Sequence, residues 1–378
     1  MTSAPIETVH QLIDELLAAT RREVPVLTAS IDLGVTGDGR PVALHMLRQA
    51  IREAIDRYPS ALSHEASASL DNDAEALAAA IEDSASAGAA GLFFVSASAD
   101  GFERRIETSA PVRNAVDIDD LPALFELARY RYLAGAAIVL AEVSLRGVEV
   151  TRVQFGVTDI TDTVEPHERL EKLKQRTSRE GFGAADGAGG HAMNRLQRSI
   201  EGKRATFAAD AAHRIEEVVE PGDLFVLAGV DSGRSGISRQ LPDHLREAAI
   251  EVPAPDPGMD ETTRNAWLTD IVIRSRFEAG DRFAARWFAQ EWSDRTAGGI
   301  GAARTLADAG NVETLILHED AVDYFGDASD ARDRSPDHNP RDVEALLRVA
   351  LGQGAAVVFT RDPLALERHQ GVLAVARY

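Results

Sequence analysis

Residues 181–198 read GFGAADGAGGHAMNRLQR and join a glycine-rich segment to the start of a long amphipathic stretch. Five glycines fall within 181–190, and glycine adopts backbone conformations that other residues avoid, so this part predicts a loop. From Met193 onward apolar residues recur every three or four positions until Pro221, which predicts one long helix. The sequence therefore places a loop of small residues directly before a helix, with Gly189 and Gly190 at the tip of the loop.

Strand-like segments flank this loop and helix on both sides. Residues 136–143 and 148–155 are apolar stretches separated by Arg146 and Gly147, and they predict a hairpin. After the helix, residues 224–230 form a short apolar run typical of a buried strand. We interpret 133–258 as a middle α/β domain that carries the glycine loop, and the proline-rich segment 253–258 as a linker.

The remaining sequence predicts one domain on either side of the middle one. Residues 1–132 predict a mixed α/β domain whose helices and strands are expected at 9–22, 25–33, 43–58, 73–87, 91–97 and, as two short strands, 102–120. Residues 259–378 begin with a long helix predicted from 260 to about 296 and interrupted near Gly280, and then alternate helix and strand, which favours a small three-layer α/β/α sandwich. The fold class is therefore α/β with three domains, a number in keeping with 378 residues.

Composition sets the expected compartment. The chain has no cysteine, which points to a reducing environment without disulfides or thiolate chemistry. Residues 1–16 carry no basic segment and no long apolar run, so we expect no signal peptide. Apolar stretches are too short to cross a membrane, and we expect a cytoplasmic protein.

Charge is unevenly distributed along the chain. The net charge of −21 argues against nucleic acid as a ligand. Residues 169–204 are an exception, because they hold nine basic and four acidic residues, a net charge of +5. Two interpretations stand: a localised contact with a polyanion, or a solvated helical surface. The basic residues that we select as candidates for RNA binding are Arg176, Arg179, Arg195, Arg198, Lys203 and Arg204.

Spacing around the loop favours phosphate binding. His191, Arg195 and Arg198 stand at positions i, i+4 and i+7, so they share one face of the predicted helix. A helix start offers backbone N–H groups to an anion. The loop is neither a P-loop nor a dinucleotide fingerprint, because the residues that these motifs require are missing. A surface loop followed by a histidine is the plainer alternative.

Residues 189–198 resemble the Gly-Gly-Gln loop and following helix of the archaeo-eukaryotic class-1 release factors and Pelota, in which two arginines have the same spacing. The tail is similar as well, with the strand at 312–317, the Gly352-Gln353-Gly354 turn and the closing strand at 372–378. The resemblance covers about residues 134–378 and extends to the first domain only by position. Bacterial members with this pattern include Balon-like hibernation factors and Vms-type peptidyl-tRNA hydrolases.

The resemblance implies a fold and a function. The middle domain would be RNase-H-like, and the third would be similar to kink-turn-binding proteins. The chain would bind the ribosome, with its loop directed at the peptidyl-transferase region of the A site and with no cofactor. tRNA and a translational GTPase such as elongation factor Tu would be further partners. Gly189, Gly190 and His191 would occupy the catalytic positions.

Two departures from the family shape the hypothesis. His191 stands where the family has its catalytic glutamine, which favours a factor that binds without hydrolysis; peptidyl-tRNA hydrolysis in ribosome rescue remains the alternative. Residues 59–72, which we interpret as a loop, contain no lysine or arginine, so the sequence gives no basis for codon reading. An α/β protein with nuclease-like chemistry is a third hypothesis.

Other candidate residues have plainer explanations. His318, Glu319 and Asp320 follow a predicted strand, and we interpret them as its solvated end rather than as a metal site. Residues 337–339 lie in a polar loop without further ligands at metal-site spacing. Trp267, Trp287 and Trp292 are expected to pack rather than to stack on bases.

Overall fold

The computed structural model describes residues 6–22, 24–34, 42–58, 62–135, 137–144, 147–154, 157–164, 189–256, 258–289, 294–322, 339–362 and 369–378. Its helices are α1 (Ile6–Leu17), α2 (Val42–Arg57), α3 (His64–Ser86), α4 (Phe125–Ala134), α5 (Gly189–Val218), α6 (Asp231–Ser238), α7 (Asp243–Ala248), α8 (Glu261–Phe288), α9 (Ile300–Asp308) and α10 (Pro340–Gly352). Its strands are β1 (Val26–Asp32), β2 (Gly91–Ala97), β3 (Phe102–Thr108), β4 (Ala115–Asp119), β5 (Ile138–Val143), β6 (Val148–Gln154), β7 (Val157–Val164), β8 (Leu224–Gly229), β9 (Ile250–Val252), β10 (Thr296–Gly298), β11 (Val312–His318), β12 (Ala356–Thr360) and β13 (Val372–Ala376). The described residues thus confirm an α/β protein, with three separate sheets.

Contacts divide the chain into two compact units. The first unit joins residues 1–135 to residues 276–378, and the second unit holds residues 136–275. Each of the three domains predicted from the sequence contains one of the three sheets. The boundaries at 132 and 258 themselves stay predictions.

The N-terminal sheet of the first unit has the order β3-β2-β1-β4, with antiparallel neighbours throughout. Because side chains alternate along a strand, the sheet has two faces to cover. Leu27 and Phe94 belong to a core with residues of α2 and α3. On the other face Phe93 meets Tyr130 of α4 edge to face, with ring centroids 5.4 Å apart. The sheet is therefore covered by helices on both sides.

The C-terminal sheet of the first unit has the order β10-β13-β11-β12. Only the β11–β12 pair is parallel; β13 runs antiparallel to both β10 and β11. Ile316 and Leu373 pack with Ala284 of α8, while Val343 and Leu346 of α10 are completely buried. Helices of this part therefore bury their apolar sides together with the sheet.

The sheet of the second unit has the order β7-β6-β5-β8-β9. β6 is antiparallel to its two neighbours, whereas β5, β8 and β9 are parallel. Ala211 and Ile215 of α5 share a core with Val139, Val150 and Phe225 of this sheet. The buried face of the long helix is thus what fixes it to the sheet.

Two predictions about local structure are wrong. Residues 64–72, expected in a loop, form the first part of α3, because Ser63 caps the helix by accepting the Ala66 N–H at 3.1 Å. Gly280 does not interrupt α8. It lies against β12, where a Cβ would come within 2.0 Å of the Phe359 carbonyl oxygen. Glycine at this position therefore allows α8 to pack closely against β12 and does not end or kink the helix.

Four elements went unrecognised in the sequence: α4, α6, β7 and β10. β7 reads VTDITDTV and pairs with β6, while β10 has only three residues and acquires its register from β13. For strands of this kind, pairing with a neighbouring strand rather than local apolar character decides whether they form.

Candidate functional site

The selected loop and helix meet at the start of α5. The structure begins this helix at Gly189, so Gly189, Gly190 and His191 lie in its first turn rather than in a loop before it. The first four N–H groups of a helix have no partner within it, and glycine leaves them accessible. The backbone is continuous through Arg195 and Arg198, as the shared-face prediction requires.

Part of the predicted site falls outside the described residues. Arg176 and Arg179 lie in the segment 165–188, and the side chains of His191 and Arg195 are likewise outside the described part of the chain. Their proposed contacts stay predictions.

Two of the described basic side chains near the start of α5 face solvent. Arg198 and Arg204 are exposed, and Lys203 is half-buried. On the other side of the same helix Ala211 and Ile215 are completely buried. The helix therefore seats its apolar face on the sheet and presents Arg198 and Arg204 to the surroundings.

Charge changes sign along α5. Its first part carries Arg195, Arg198, Lys203 and Arg204 against the single acid Glu201, whereas the second part carries Asp210, Glu216 and Glu217 against Arg214. Since the amino end of a helix also carries the positive end of the helix dipole, both effects favour an anion at that end. This arrangement suits a phosphate-bearing ligand.

A pair of carboxylates in the second unit bears on the nuclease hypothesis. Glu142 of β5 lies directly opposite Glu149 of β6. Arg264 of α8 places its Nη2 atom 2.7 Å from Glu142 Oε1 and 4.0 Å from Glu149 Oε1. Burial raises the pKa of Glu142, an effect that Arg264 opposes. The Arg264 guanidinium thus binds Glu142 and lies near Glu149, where a metal ion bridging the two carboxylates would have to lie.

At the end of β11 the prediction of a solvated strand end is wrong for His318 and Glu319 and right for Asp320, whose side chain is exposed. His318 is buried, and its Nδ1 atom accepts the Asp320 N–H at 3.1 Å. Glu319 accepts from Arg361 at 2.5 Å, and Asp320 accepts from Arg113 at 2.8 Å. His318 is thus buried and Glu319 is largely covered, while the Asp320 side chain pairs with Arg113 and still faces water. Across the described ranges no three acidic, histidine or cysteine side chains cluster as a metal site would require.

Trp287 acts as a packing residue, as predicted. Trp287 packs partly buried against the core of the C-terminal sheet and tilts against Phe283, with ring centroids 6.4 Å apart. Trp267 is also half-buried, and Trp292 lies outside the described residues. Asn339, from the polar loop considered for metal binding, caps α10 by accepting the Arg341 N–H at 3.2 Å.

Several charged residues that sequence reasoning overlooked hold the first unit together. Arg341, Glu344 and Arg348 of α10 contact main-chain atoms of the N-terminal part, and Arg113 and Arg129 reach residues 319–320. The i, i+3, i+7 spacing on α10 is visible in the sequence. Its partners are more than 200 residues away, which no local pattern indicates.

None of the helices in the described part of the chain is both long and apolar enough to cross a membrane.

Comparison with known proteins gives similarity at the level of solved structures. No protein-family model matches the chain, and no curated protein matches it. An archaeal translation termination factor is 14% identical over 99% of each chain, with a TM-score of 0.27. Pelota from Archaeoglobus fulgidus is 14% identical over 76% of this chain and 79% of its own, with a TM-score of 0.37. Archaeal Pelota in a ribosome-bound model is 11% identical over 100% and 95%, with a TM-score of 0.38. Scores this low do not by themselves establish a common fold or a common function.

Proposed function

We propose that this chain is a ribosome-binding translation factor that occupies the A site of idle or stressed ribosomes, with the start of α5 directed at the peptidyl-transferase region. The observation that carries the proposal is the exposed basic part of α5, which follows directly on Gly189, Gly190 and His191. A helix start with adjacent glycines offers free N–H groups, and the exposed Arg198 and Arg204 add positive charge, so both features suit RNA phosphates.

The arrangement of the second unit supports this proposal. Its strand order, with the first strand central, the second antiparallel and the fourth and fifth parallel to the first, is the order of an RNase-H-like sheet. We infer that the middle domain has this fold. The Glu142–Glu149 pair is occupied by Arg264, so the sheet lacks the open carboxylates that a metal-dependent nuclease would present at this position.

The C-terminal part supports the proposal more weakly. Helices α8, α9 and α10 accompany a four-stranded sheet, as expected of a domain similar to kink-turn-binding proteins. We infer that this domain contacts a partner such as a translational GTPase, and that tRNA is a further partner of the second unit.

Co-sedimentation with vacant bacterial ribosomes tests binding. We expect near-stoichiometric pelleting that survives physiological salt, and loss of it when Arg195 and Arg198 are both replaced by glutamate. A matched control replaces Arg239 and Arg246, two exposed arginines of the same unit, by glutamate. This control variant should bind ribosomes like the unaltered protein. Pelleting confined to low salt would mean a nonspecific basic surface and would end the ribosome proposal.

Peptidyl-tRNA hydrolysis in ribosome rescue is the second candidate, and His191 is the reason to keep it. A neutral imidazole can orient water or accept its proton. Release of a nascent chain from stalled complexes by the purified protein, lost in His191→Ala, would favour the hydrolase. Full activity of His191→Ala would remove this histidine from the mechanism, and no release in either protein supports binding alone.

A further inference from the structure

One face of α10 holds the N-terminal part of the first unit through main-chain atoms. Arg348 donates to the carbonyl oxygens of Leu16 at 2.6 Å and Pro122 at 2.5 Å. Glu344 accepts the N–H groups of Leu124 at 2.9 Å and Phe125 at 3.2 Å, where α4 begins. We call these contacts, together with that of Arg341 to the Ile118 carbonyl oxygen at 3.4 Å, the α10 junction.

Asp117 of β4 lies two residues before Asp119, so both side chains project from the same face of the strand, the face on which Asp119 meets Arg341 of α10 at 3.5 Å. The acids that face it are Glu344 of α10 and Asp119 of its own strand, and the bases are Arg341 of α10 and Arg57 of α2. Burial is the largest influence and Glu344 the next, and together they raise the pKa of Asp117 to about 7. Below about pH 7 this carboxyl group is mostly protonated, and its ionisation adds a negative charge near that of Glu344.

Further titratable groups lie around Asp117 on β4, α2 and α4. Asp119 is 3.5 Å from Arg341, and Asp120 accepts the Tyr58 hydroxyl at 2.7 Å. Glu126 of α4 lines the same small cavity as Asp117, of about 20 Å³. The Oε1 atom of Glu126 is buried without a hydrogen-bond partner, and burial raises the pKa of this carboxyl too.

We propose that the α10 junction is a proton-dependent latch, in which loss of the Asp117 proton weakens the hold of α10 on the N-terminal sheet. The negative charge then created faces Glu344, the same side chain that binds the start of α4. The consequence is a first unit whose two parts separate more readily at alkaline than at mildly acidic pH. The latch does not depend on ribosome binding.

The direction follows from linkage. Asp117 in the closed junction has a pKa above that of a solvated aspartate, so the closed state binds the proton more tightly than an open one. The closed state is therefore favoured at low pH and loses stability as pH rises from about 4 to about 7. Above pH 7 this group causes no further change, because it is then ionised in both states.

Hydrogen–deuterium exchange of the isolated chain tests the latch at residues 121–130, which contain the two N–H groups bound by Glu344. After correction for the intrinsic effect of pH on exchange, we expect protection to fall roughly tenfold between pH 5.5 and pH 7.5. Asp117→Asn mimics the protonated carboxyl and should reduce that change to less than about twofold. Asp308→Asn removes an exposed acid of α9 and should behave like the unaltered protein.

Two results would overturn the proposal: protection in the unaltered protein that stays constant between these pH values, or a pH response that Asp117→Asn leaves intact. Should Asp117→Asn fail to fold, Glu344→Gln takes its place. Removing the facing charge lowers the Asp117 pKa, so the midpoint of the response should move to lower pH, and an unmoved midpoint counts against the latch.

Discussion

The α10 junction and the exposed part of α5 use the same residue types for opposite purposes. In the α10 junction Arg348 is half-buried and donates to two carbonyl oxygens, and burial lowers the pKa of its guanidinium. On α5 Arg198 and Arg204 face solvent. Glycine shows the same contrast: Gly280 of α8 touches β12, whereas a Cβ on Gly202 of α5 would meet no atom within 4 Å.

This difference in burial and bonding distinguishes residues that stabilise the fold from residues that are free to contact a ligand. An arginine whose donors are taken by main-chain carbonyls contributes to folding. An exposed arginine contributes little to stability but can bind phosphate. The predictions below probe this contrast, beginning with the largest expected effect.

Gly280→Ala should be the most damaging substitution in the packed region. The new Cβ would lie 2.0 Å from the Phe359 carbonyl oxygen and 2.8 Å from the Tyr132 hydroxyl, so α8 has to move away from β12. We expect the free energy of unfolding to fall by about 3 kcal/mol, measured by urea denaturation. A loss below about 1 kcal/mol would show that α8 is not held as closely as the structure indicates.

Arg348→Ala should lower the free energy of unfolding by about 2 kcal/mol, because two partly buried carbonyl oxygens lose their donor. Chemical denaturation measures this effect, and Arg204→Ala on α5 is the matched control, with an expected change within about 0.5 kcal/mol. Equal losses in the two variants would erase the contrast between the regions.

Reversing both exposed arginines, Arg198→Glu with Arg204→Glu, should leave stability unchanged and weaken ribosome binding about tenfold or more at physiological salt. The slope of log affinity against log salt should also fall by about 2, one for each lost phosphate contact. Sedimentation at several salt concentrations gives both quantities. Unaltered affinity with an unaltered slope would place the RNA contact elsewhere.

Gly202→Ala should have the smallest effect and the opposite sign. The position is inside α5 with open space around it, and alanine is the better helix former. We expect a gain of about 0.5–1 kcal/mol in the free energy of unfolding, seen as a raised melting temperature. A destabilised variant would mean that Gly202 contacts something in the folded chain.

Much of the fold is visible in the sequence. The buried strand at Gly91–Ala97 and the end of α5 before Pro221 agree with the structure, because continuous apolar runs and a proline act locally. The start of α3 was missed because alanine- and serine-rich residues carry little periodicity, and the cap at Ser63 decides the boundary. Of the candidate site, the sequence indicated which α5 residues are basic, and the structure added that Arg198 and Arg204 face solvent.

The sequence by itself determined the long helix after the glycine-rich segment, the basic character of its first part and the α/β alternation, because spacing and composition are local properties. Only the tertiary structure decided that residues 1–135 and 276–378 form one unit, that Gly280 is a packing contact, and that residues 318–320 are drawn into an ion-pair cluster. Each of these features depends on hydrogen bonds and packing between segments that are far apart along the chain. Such contacts form only when the whole chain folds.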